Sequence, residues 1–164
     1  MSKIEIRPAS AADHSFIWEI LKPIFRAGET YAIEPDISQE AALYYWAGHQ
    51  NHVFVATDIS GAILGTYYIK PNGRGGADHI CNCGYAVAKA AQGKGVARSM
   101  LTHSLTAAKD LGFQAMQYNF VLESNTRAIE TWERAGFVTI GLIPRAYRHP
   151  TLGLVSARIM LKEL

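Results

Sequence analysis

The sequence predicts an α/β (α+β) fold: a mixed, mostly antiparallel and twisted sheet of about seven strands with helices on both faces. Short runs rich in β-branched and aromatic residues alternate with segments whose apolar residues recur every three or four positions. A strand, a glycine turn, a helix and another strand in mid-chain imply a parallel, right-handed crossover, whereas earlier turns predict antiparallel hairpins. The 164 residues, 49% of them hydrophobic, fit one domain, 1–164, with a single core.

The predicted order of elements is β-α-α-β-β-β-α-β-α-β-β. The strands are expected at about residues 4–7, 53–57, 63–69, 80–87, 115–121, 138–143 and 154–161. Apolar residues from Phe16 to Phe25 recur at helical spacing, and Pro23 is expected to kink or end this first helix. Ser38 is the expected N-cap of the second helix, and Gly48 ends it.

Two more helices follow in the second half of the chain. The first has apolar residues from Ala97 to Leu111 on one face, and Gly112 fits its C-terminal stop. Ser124 or Asn125 caps the second. The last two strands are expected to be joined by a loop containing proline and arginine.

The turn around Gly93 and Gly95 is the part of the chain best suited to bind a ligand. Neither residue has a Cβ, so the backbone can bend sharply and a ligand can approach it closely. The N–H groups of the first turn of the following helix lack partners inside the helix, and the helix dipole favours an anion there, most naturally a phosphate. A connection whose glycines only relieve strain is the alternative.

The bulk composition narrows the function classes. The net charge of +2, without a long run of one sign, does not indicate binding to nucleic acid or membranes. The N-terminus shows no apolar signal core and no segment has about 18 apolar residues, so a cytoplasmic location is expected. Cys81 and Cys83 are predicted to be reduced and structural. With His79 as the third candidate ligand they do not complete a zinc site, so no metal is expected.

Two motifs carry a resemblance to a known family. Gln92-Gly93-Lys94-Gly95-Val96-Ala97 follows a strand that ends in Val87, and Asn125 opens a helix with Ala128-Ile129 that ends in Gly136-Phe137. In this order the motifs, with the order of elements, resemble the GNAT superfamily of acyl-CoA-dependent N-acyltransferases over nearly the whole chain. Within it, the chain resembles the phosphinothricin and L-azetidine-2-carboxylate acetyltransferases.

The resemblance implies that acetyl-CoA is the cofactor and coenzyme A the product. Tyr85, Ala86 and Val87 are expected to pair with the pantetheine amides like an added strand, and the Val87 N–H is expected to polarise the thioester carbonyl. Asn125 is expected to hydrogen-bond the cofactor arm. The pyrophosphate is assigned to the glycine turn and first helical turn, namely Gln92, Gly93, Lys94, Gly95, Val96, Ala97 and Arg98.

The sequence departs from the family at its acid–base positions. Asn82 stands where many members have a glutamate that takes the proton of the amine, and Trp132 stands where many have a tyrosine near the leaving thiolate. Trp132 is therefore expected to line the cofactor site without supplying a proton. The expected mechanism is direct attack by the amine, driven by orientation and by oxyanion stabilisation.

The acceptor is expected to be a small-molecule amine, an amino acid or its analogue. Asn82 and Asn119 resemble the asparagine set that orients the amino acid in the L-azetidine-2-carboxylate enzyme; ordinary strand amides are the alternative. Glu29 and Tyr31 lie where small-amine members line the acceptor site, although Glu29 is also typical of an exposed loop acid. A protein or peptide N-acetyltransferase and a non-catalytic acyl-CoA binding module are the alternative functions. Since family members are often dimers, the last two strands are the predicted homodimer interface.

Overall fold

A computed structural model describes residues 4–164 of the chain. Residues 1–3, which belong to the predicted domain 1–164 and to the N-terminus expected to lack a signal core, lie outside the described residues. The elements, in chain order, are β1 (Glu5–Pro8), α1 (His14–Ala27), α2 (Gln39–Ala47), β2 (His52–Thr57), β3 (Ile63–Pro71), β4 (Ile80–Val87), α3 (Val96–Asp110), β5 (Ala115–Leu122), α4 (Thr126–Arg134), β6 (Val138–His149) and β7 (Gly153–Glu163). The predicted order of helices and strands is confirmed.

The seven strands form one mixed sheet in the order β1-β2-β3-β4-β5-β7-β6. The pairs are antiparallel except that β4 and β5 run parallel, joined by the crossover through α3. The sequence predicts a single core, whereas the buried apolar side chains form two clusters. One contains the buried apolar residues of α1 and α2, and the other contains those of α3 and α4. Helices therefore cover both faces, and the predicted fold class is confirmed.

The ends of the helices follow the predicted capping residues. The Ser38 hydroxyl accepts a hydrogen bond from the Ala41 N–H at 3.1 Å, and Asn125 rather than Ser124 caps α4 by accepting from the Ala128 N–H at 3.4 Å. On the predicted apolar face of α3, Ala97 is exposed and Leu111 is 40% exposed, so the buried face is shorter than expected.

Two local expectations are corrected: α1 does not end at Pro23, and the loop between the last two strands is shorter than expected. Helix α1 continues through Pro23 to Ala27, and Phe25 beyond the proline is buried against the rings of Tyr31 and Tyr45, which offsets the lost backbone hydrogen bond. The first part of the expected loop between the last two strands, residues 144–149, belongs to β6, where the register shifts between Ile143 and Tyr147 and Arg145 has a φ of 52°. A β-bulge on this edge strand accommodates Pro144, which has no N–H to donate.

The two cysteines, Cys81 and Cys83, are buried and unpaired on β4, as predicted. Burial raises the pKa of the Cys81 thiol to about 12, so it stays protonated at neutral pH. Among the helices of residues 4–164, none combines the length and the apolar character that crossing a bilayer requires.

Candidate active site

The sheet opens between its two parallel strands. Pairing between β4 and β5 is limited to Ile80 with Ala115 and Cys81 with Met116, although both strands continue beyond these pairs. The separating strands line a cavity of about 460 Å³. This volume lies in the range of small-molecule sites, so the separation of the strands provides the space for a ligand inside the sheet.

Asn82 lies where the pairing of β4 and β5 ends. Its Nδ2 donates to the Gln117 carbonyl of β5 at 2.9 Å, and its Oδ1 accepts from the Tyr68 hydroxyl at 3.3 Å. The side chain thus replaces the backbone bonds as the next link across the gap and lines the cavity.

The β4 backbone presents polar groups to the gap at alternate residues. Ala88 N–H donates to the Leu64 carbonyl at 2.9 Å, so Ala86, two residues earlier, also bonds toward β3. Tyr85 and Val87 consequently point their N–H and C=O groups away from β3. Tyr31 confirms this direction, because its hydroxyl donates to the Tyr85 carbonyl at 2.7 Å. Three residues, Tyr85, Ala86 and Val87, were expected to pair with the cofactor. Ala86 lines the cavity but its backbone is hydrogen-bonded to β3, so it is not available for that pairing.

The glycine turn has the geometry that an anion site requires. Gly93 and Gly95 have φ angles of 76° and 82°, and Gly95 is the N-cap of α3. The first helical bond joins Ser99 N–H to the Gly95 carbonyl at 3.0 Å, so the N–H groups of residues 96–98 lack partners in the helix. Lys94 N–H donates to the Ala91 carbonyl at 3.3 Å instead. Of the remaining predicted residues of this site, Gln92 lines the cavity, and the buried Val96 side chain leaves only its N–H for a ligand.

A chain of hydroxyl groups lies under the gap. The Ser104 hydroxyl donates to the Leu101 carbonyl at 2.8 Å, so in its 2.7 Å contact with Tyr85 the tyrosine must donate. Tyr118 must then donate to the Tyr85 hydroxyl at 3.0 Å. Burial raises the pKa of both tyrosines well above the usual value. In this arrangement neither tyrosine has a proton directed at a ligand.

Trp132 of α4 covers these two rings. Its indole centroid lies 4.9 Å from that of Tyr118 and 5.2 Å from that of Tyr85, and it lines the cavity as predicted. Tyr118 was not predicted as a site residue, although it stands directly before the predicted residue Asn119 on β5.

Aromatic side chains form the wall on the α1–α2 side. Tyr45, Trp46 and Tyr68 pack edge to face, with centroids 4.9 to 6.1 Å apart in the contacting pairs. The Tyr147 hydroxyl of β6 shares its one proton between the Gly28 carbonyl at 2.6 Å and the Tyr31 carbonyl at 3.2 Å, which holds the segment after α1 against this wall.

The four predicted acceptor residues do not all reach this cavity. Tyr31, Asn82 and Asn119 line it, whereas Glu29 is exposed and outside its lining. The placing of Glu29 in the acceptor site is corrected: the chain turns at Gly28, Tyr31 enters the aromatic wall, and the carboxylate stays in solvent.

Asn119 and Asn125 have their own partners. Asn119 Nδ2 donates to Asn72 Oδ1 at 2.6 Å, and its Oδ1 accepts from Gln117 at 2.9 Å. Asn82 and Asn119, the two asparagines predicted to bind the acceptor, thus face one cavity without a hydrogen bond between their side chains. Asn125 also lines the cavity, although its Oδ1 is engaged in capping α4. Within residues 4–164 no group of three His, Cys, Asp or Glu side chains could hold a metal ion.

Comparison with known proteins gives consistent matches. A model of the acetyltransferase (GNAT) family matches residues 15–137. The solved structure of a GCN5-related N-acetyltransferase from Kribbella flavida is 37% identical, with 98% of each chain covered and a TM-score of 0.93. A phosphinothricin acetyltransferase from Sinorhizobium meliloti, solved with acetyl-CoA, is 25% identical, covering 100% of this chain and 89% of its own, with a TM-score of 0.86.

A curated relative, the N-acetyltransferase aca1 of Schizosaccharomyces pombe, is 37% identical over 91 residues. These are 56% of this chain and 44% of the relative, so the match spans less than half of that protein.

Proposed function

The chain belongs to the acetyltransferase (GNAT) family of acyltransferases, and from this premise we propose that it transfers the acetyl group of acetyl-CoA to the amine of a small molecule, an amino acid or its analogue. The observation that carries the proposal is the gap between β4 and β5. It brings the gap-facing backbone groups of β4, the N-terminus of α3 and a cavity together.

In this proposal the cofactor lies in the gap as an added strand. The N–H groups of residues 96–98, at the glycine turn and the start of α3, bind the pyrophosphate. The gap-facing backbone groups of Tyr85 and Val87 pair with the pantetheine arm. The Asn125 amide and the Trp132 indole contact the same arm from α4.

In the reaction the amine attacks the thioester and coenzyme A leaves. The neutral amine attacks the thioester carbon, the oxygen charge develops against the Val87 N–H, and the C–S bond then breaks to release coenzyme A. The proton of the amine passes to water. Orientation of the two reactants can supply about 7–11 kcal/mol, whereas general acid–base help contributes about 10²–10⁴-fold. A thiol of pKa about 8.5 leaves without a dedicated acid. The proposal therefore needs neither a glutamate base nor a tyrosine acid.

The shape of the cavity supports a small acceptor. The rings of Tyr31, Tyr45 and Tyr68 line its acceptor side and give it an apolar wall. The similarity to a phosphinothricin acetyltransferase points the same way. Peptide acetylation and non-catalytic binding of acyl-CoA remain the competing functions.

The test is thiol release from acetyl-CoA across a panel of free amino acids, polyamines and peptides. We expect release that depends on an amino acid, with the N-acetyl product identified by mass spectrometry. Release with peptides only would replace the proposal by a peptide acetyltransferase. Tight binding of acetyl-CoA without acceptor-dependent release would replace it by a binding module.

We also propose that β6 is a homodimer contact. This edge strand pairs only with β7 and exposes Val138, Ile140 and Leu142, each more than half accessible. Sedimentation should give a dimer mass for the native chain and a monomer for Leu142→Lys. A native monomer at 100 µM, taken as roughly the highest practical assay concentration, would contradict it.

A further inference from the structure

Lys70 of β3 is the only charged side chain among the described residues that line the cavity. It lies opposite Asn82 in the β3–β4 ladder. Its Nζ is 5.2 Å from the ring centroid of Tyr45 and 5.2 Å from that of Tyr68. The ammonium group is therefore held over the aromatic wall of the acceptor side.

The described residues give this ammonium no counter-charge. No described carboxylate lies in the cavity lining, and none of the ion pairs within residues 4–164 involves Lys70. The half-buried position lowers the pKa of the amine by desolvation. Aromatic faces attract a cation but accept no strong hydrogen bond, so the three N–H donors still require an acceptor.

Nearby hydroxyls can supplement an anion at this position. The Tyr68 hydroxyl donates to Asn82, so in its 3.4 Å contact with Tyr68 the Tyr45 hydroxyl is the donor and can turn its proton to a ligand. Lysine and Tyr45 together suit a carboxylate, which accepts several hydrogen bonds at once.

We propose that Lys70 binds the carboxylate of the acceptor and thereby restricts the enzyme to amines that carry a free carboxylate. This inference rests on the proposed function, because it names the chemistry of the acceptor of the same site. A polyamine brings a second cation into a cavity that already holds one and has no described carboxylate. An amino-acid amide keeps the reacting amine but leaves the lysine unpaired.

The experiment compares matched pairs of substrates: each accepted amino acid and its α-carboxamide. The variants are Lys70→Met, which removes the charge at similar length, and Lys70→Arg, which keeps it. Lys109→Met on the exposed side of α3 is the control for loss of a surface charge. Thermal melting and acetyl-CoA binding are measured for every variant, to separate folding from specificity.

We expect the native enzyme and Lys109→Met to prefer the acid to the amide at least tenfold in kcat/KM. Lys70→Met should lower kcat/KM at least tenfold for the acid and less than threefold for the amide, mostly through KM. Lys70→Arg should keep the preference for the acid.

Equal losses for acid and amide in Lys70→Met, or native activity that is greater with amides or polyamines, would overturn the role of Lys70 and leave the acetyltransferase function standing. No thiol release with any amine, despite bound acetyl-CoA, would instead reject the proposed function and this inference with it.

Discussion

At the scale of single residues, the backbone N–H of Val87 is the proposed oxyanion donor. It faces the gap, so Val87→Pro removes it without breaking a hydrogen bond of the β3–β4 ladder. We expect kcat at saturating acetyl-CoA to fall about 10²–10³-fold, the usual cost of losing one such donor. Val87→Ala keeps the N–H and should retain kcat within a few-fold. Native kcat in Val87→Pro would exclude this donor.

Asn82 and Asn119, which are proposed to bind the acceptor, give a second prediction at the scale of residues. Asn82→Ala and Asn119→Ala should each lower turnover well over tenfold, with acetyl-CoA binding intact, because each amide would no longer orient the amine. Asn72→Ala is the matched control, since Asn72 is the partner of Asn119 but does not line the cavity. Steady-state rates and calorimetric binding check this. Unchanged turnover in both variants would leave them as ordinary strand amides.

At the scale of elements, the glycine turn can be tested against the other end of the same helix. Gly95 and Gly112 have φ angles of 82° and 89°, and an added Cβ would meet nothing within 4 Å at either residue. Gly95→Ala and Gly112→Ala should therefore each lower the free energy of unfolding by about 1–2 kcal/mol through backbone strain alone. Only Gly95→Ala should weaken acetyl-CoA binding, tenfold or more by calorimetry. Equal affinities in the two variants would remove the turn from the cofactor site.

Strand β4 depends on a glycine for a different reason. A Cβ on Gly84 would lie 2.6 Å from Tyr68 Cε1, and this ring is held by Trp46 and Tyr45. Gly84→Ala should lower the free energy of unfolding by about 1–3 kcal/mol through overpacking, measured by urea titration. Gly76→Ala, where the added Cβ meets nothing, is the control and should be neutral. A stable Gly84→Ala variant would mean that the aromatic wall can move.

The order of elements and the crossover were predictable because periodicity and capping are local properties of the sequence. Ser38 and Asn125 cap their helices through side-chain oxygens within three residues. The path of α1 through Pro23 and the bulge at Arg145 were not predictable, because each depends on distant packing. Burial of Phe25 favours the continuation of α1 through Pro23, and the position of β6 at the edge of the sheet allows the bulge at Arg145.

The residues of the candidate site also divide into those that the sequence could predict and those that it could not. Gln92 to Arg98 and Asn125 could be proposed from the sequence because they stand in continuous motifs. Lys70, Tyr68 and Tyr118 were missed because they come from two strands, and only the sheet register brings them to one cavity. The exposure of Glu29 agrees with the alternative of a loop acid, and Tyr147, more than a hundred residues later, holds the start of its loop by donating to the Gly28 carbonyl.

At the scale of the whole molecule, stability should depend on a buried carboxylate near the N-terminus. Asp13 accepts hydrogen bonds from the Arg7 guanidinium at 2.8 and 2.9 Å and from the Ser10 N–H at 2.7 Å. The Arg7 guanidinium, chiefly, holds the pKa of Asp13 far below its usual range. A depressed folded-state pKa stabilises the fold above the unfolded value of about 4, and this stabilisation is lost as the pH falls toward the folded value.

Asp13→Asn should accordingly lower the free energy of unfolding at pH 7 by about 1–3 kcal/mol and reduce its dependence on pH below about 4. Asp58→Asn is the control, because its carboxylate also has a lowered pKa but caps only a local turn. Chemical denaturation from pH 7 to 3 measures both. Parallel curves for the native chain and Asp13→Asn would contradict the prediction.

Because the gap between β4 and β5 is the proposed binding site of acetyl-CoA, the stability of the folded protein should depend on the concentration of acetyl-CoA. An occupant of the gap binds only the folded protein, so acetyl-CoA at a hundredfold excess over its dissociation constant would add about 2.7 kcal/mol to the free energy of unfolding. That is a large share of the total for a domain of this size. When acetyl-CoA is scarce, a larger fraction of molecules unfolds and meets proteases. The cellular amount of this enzyme should then follow the supply of its own donor.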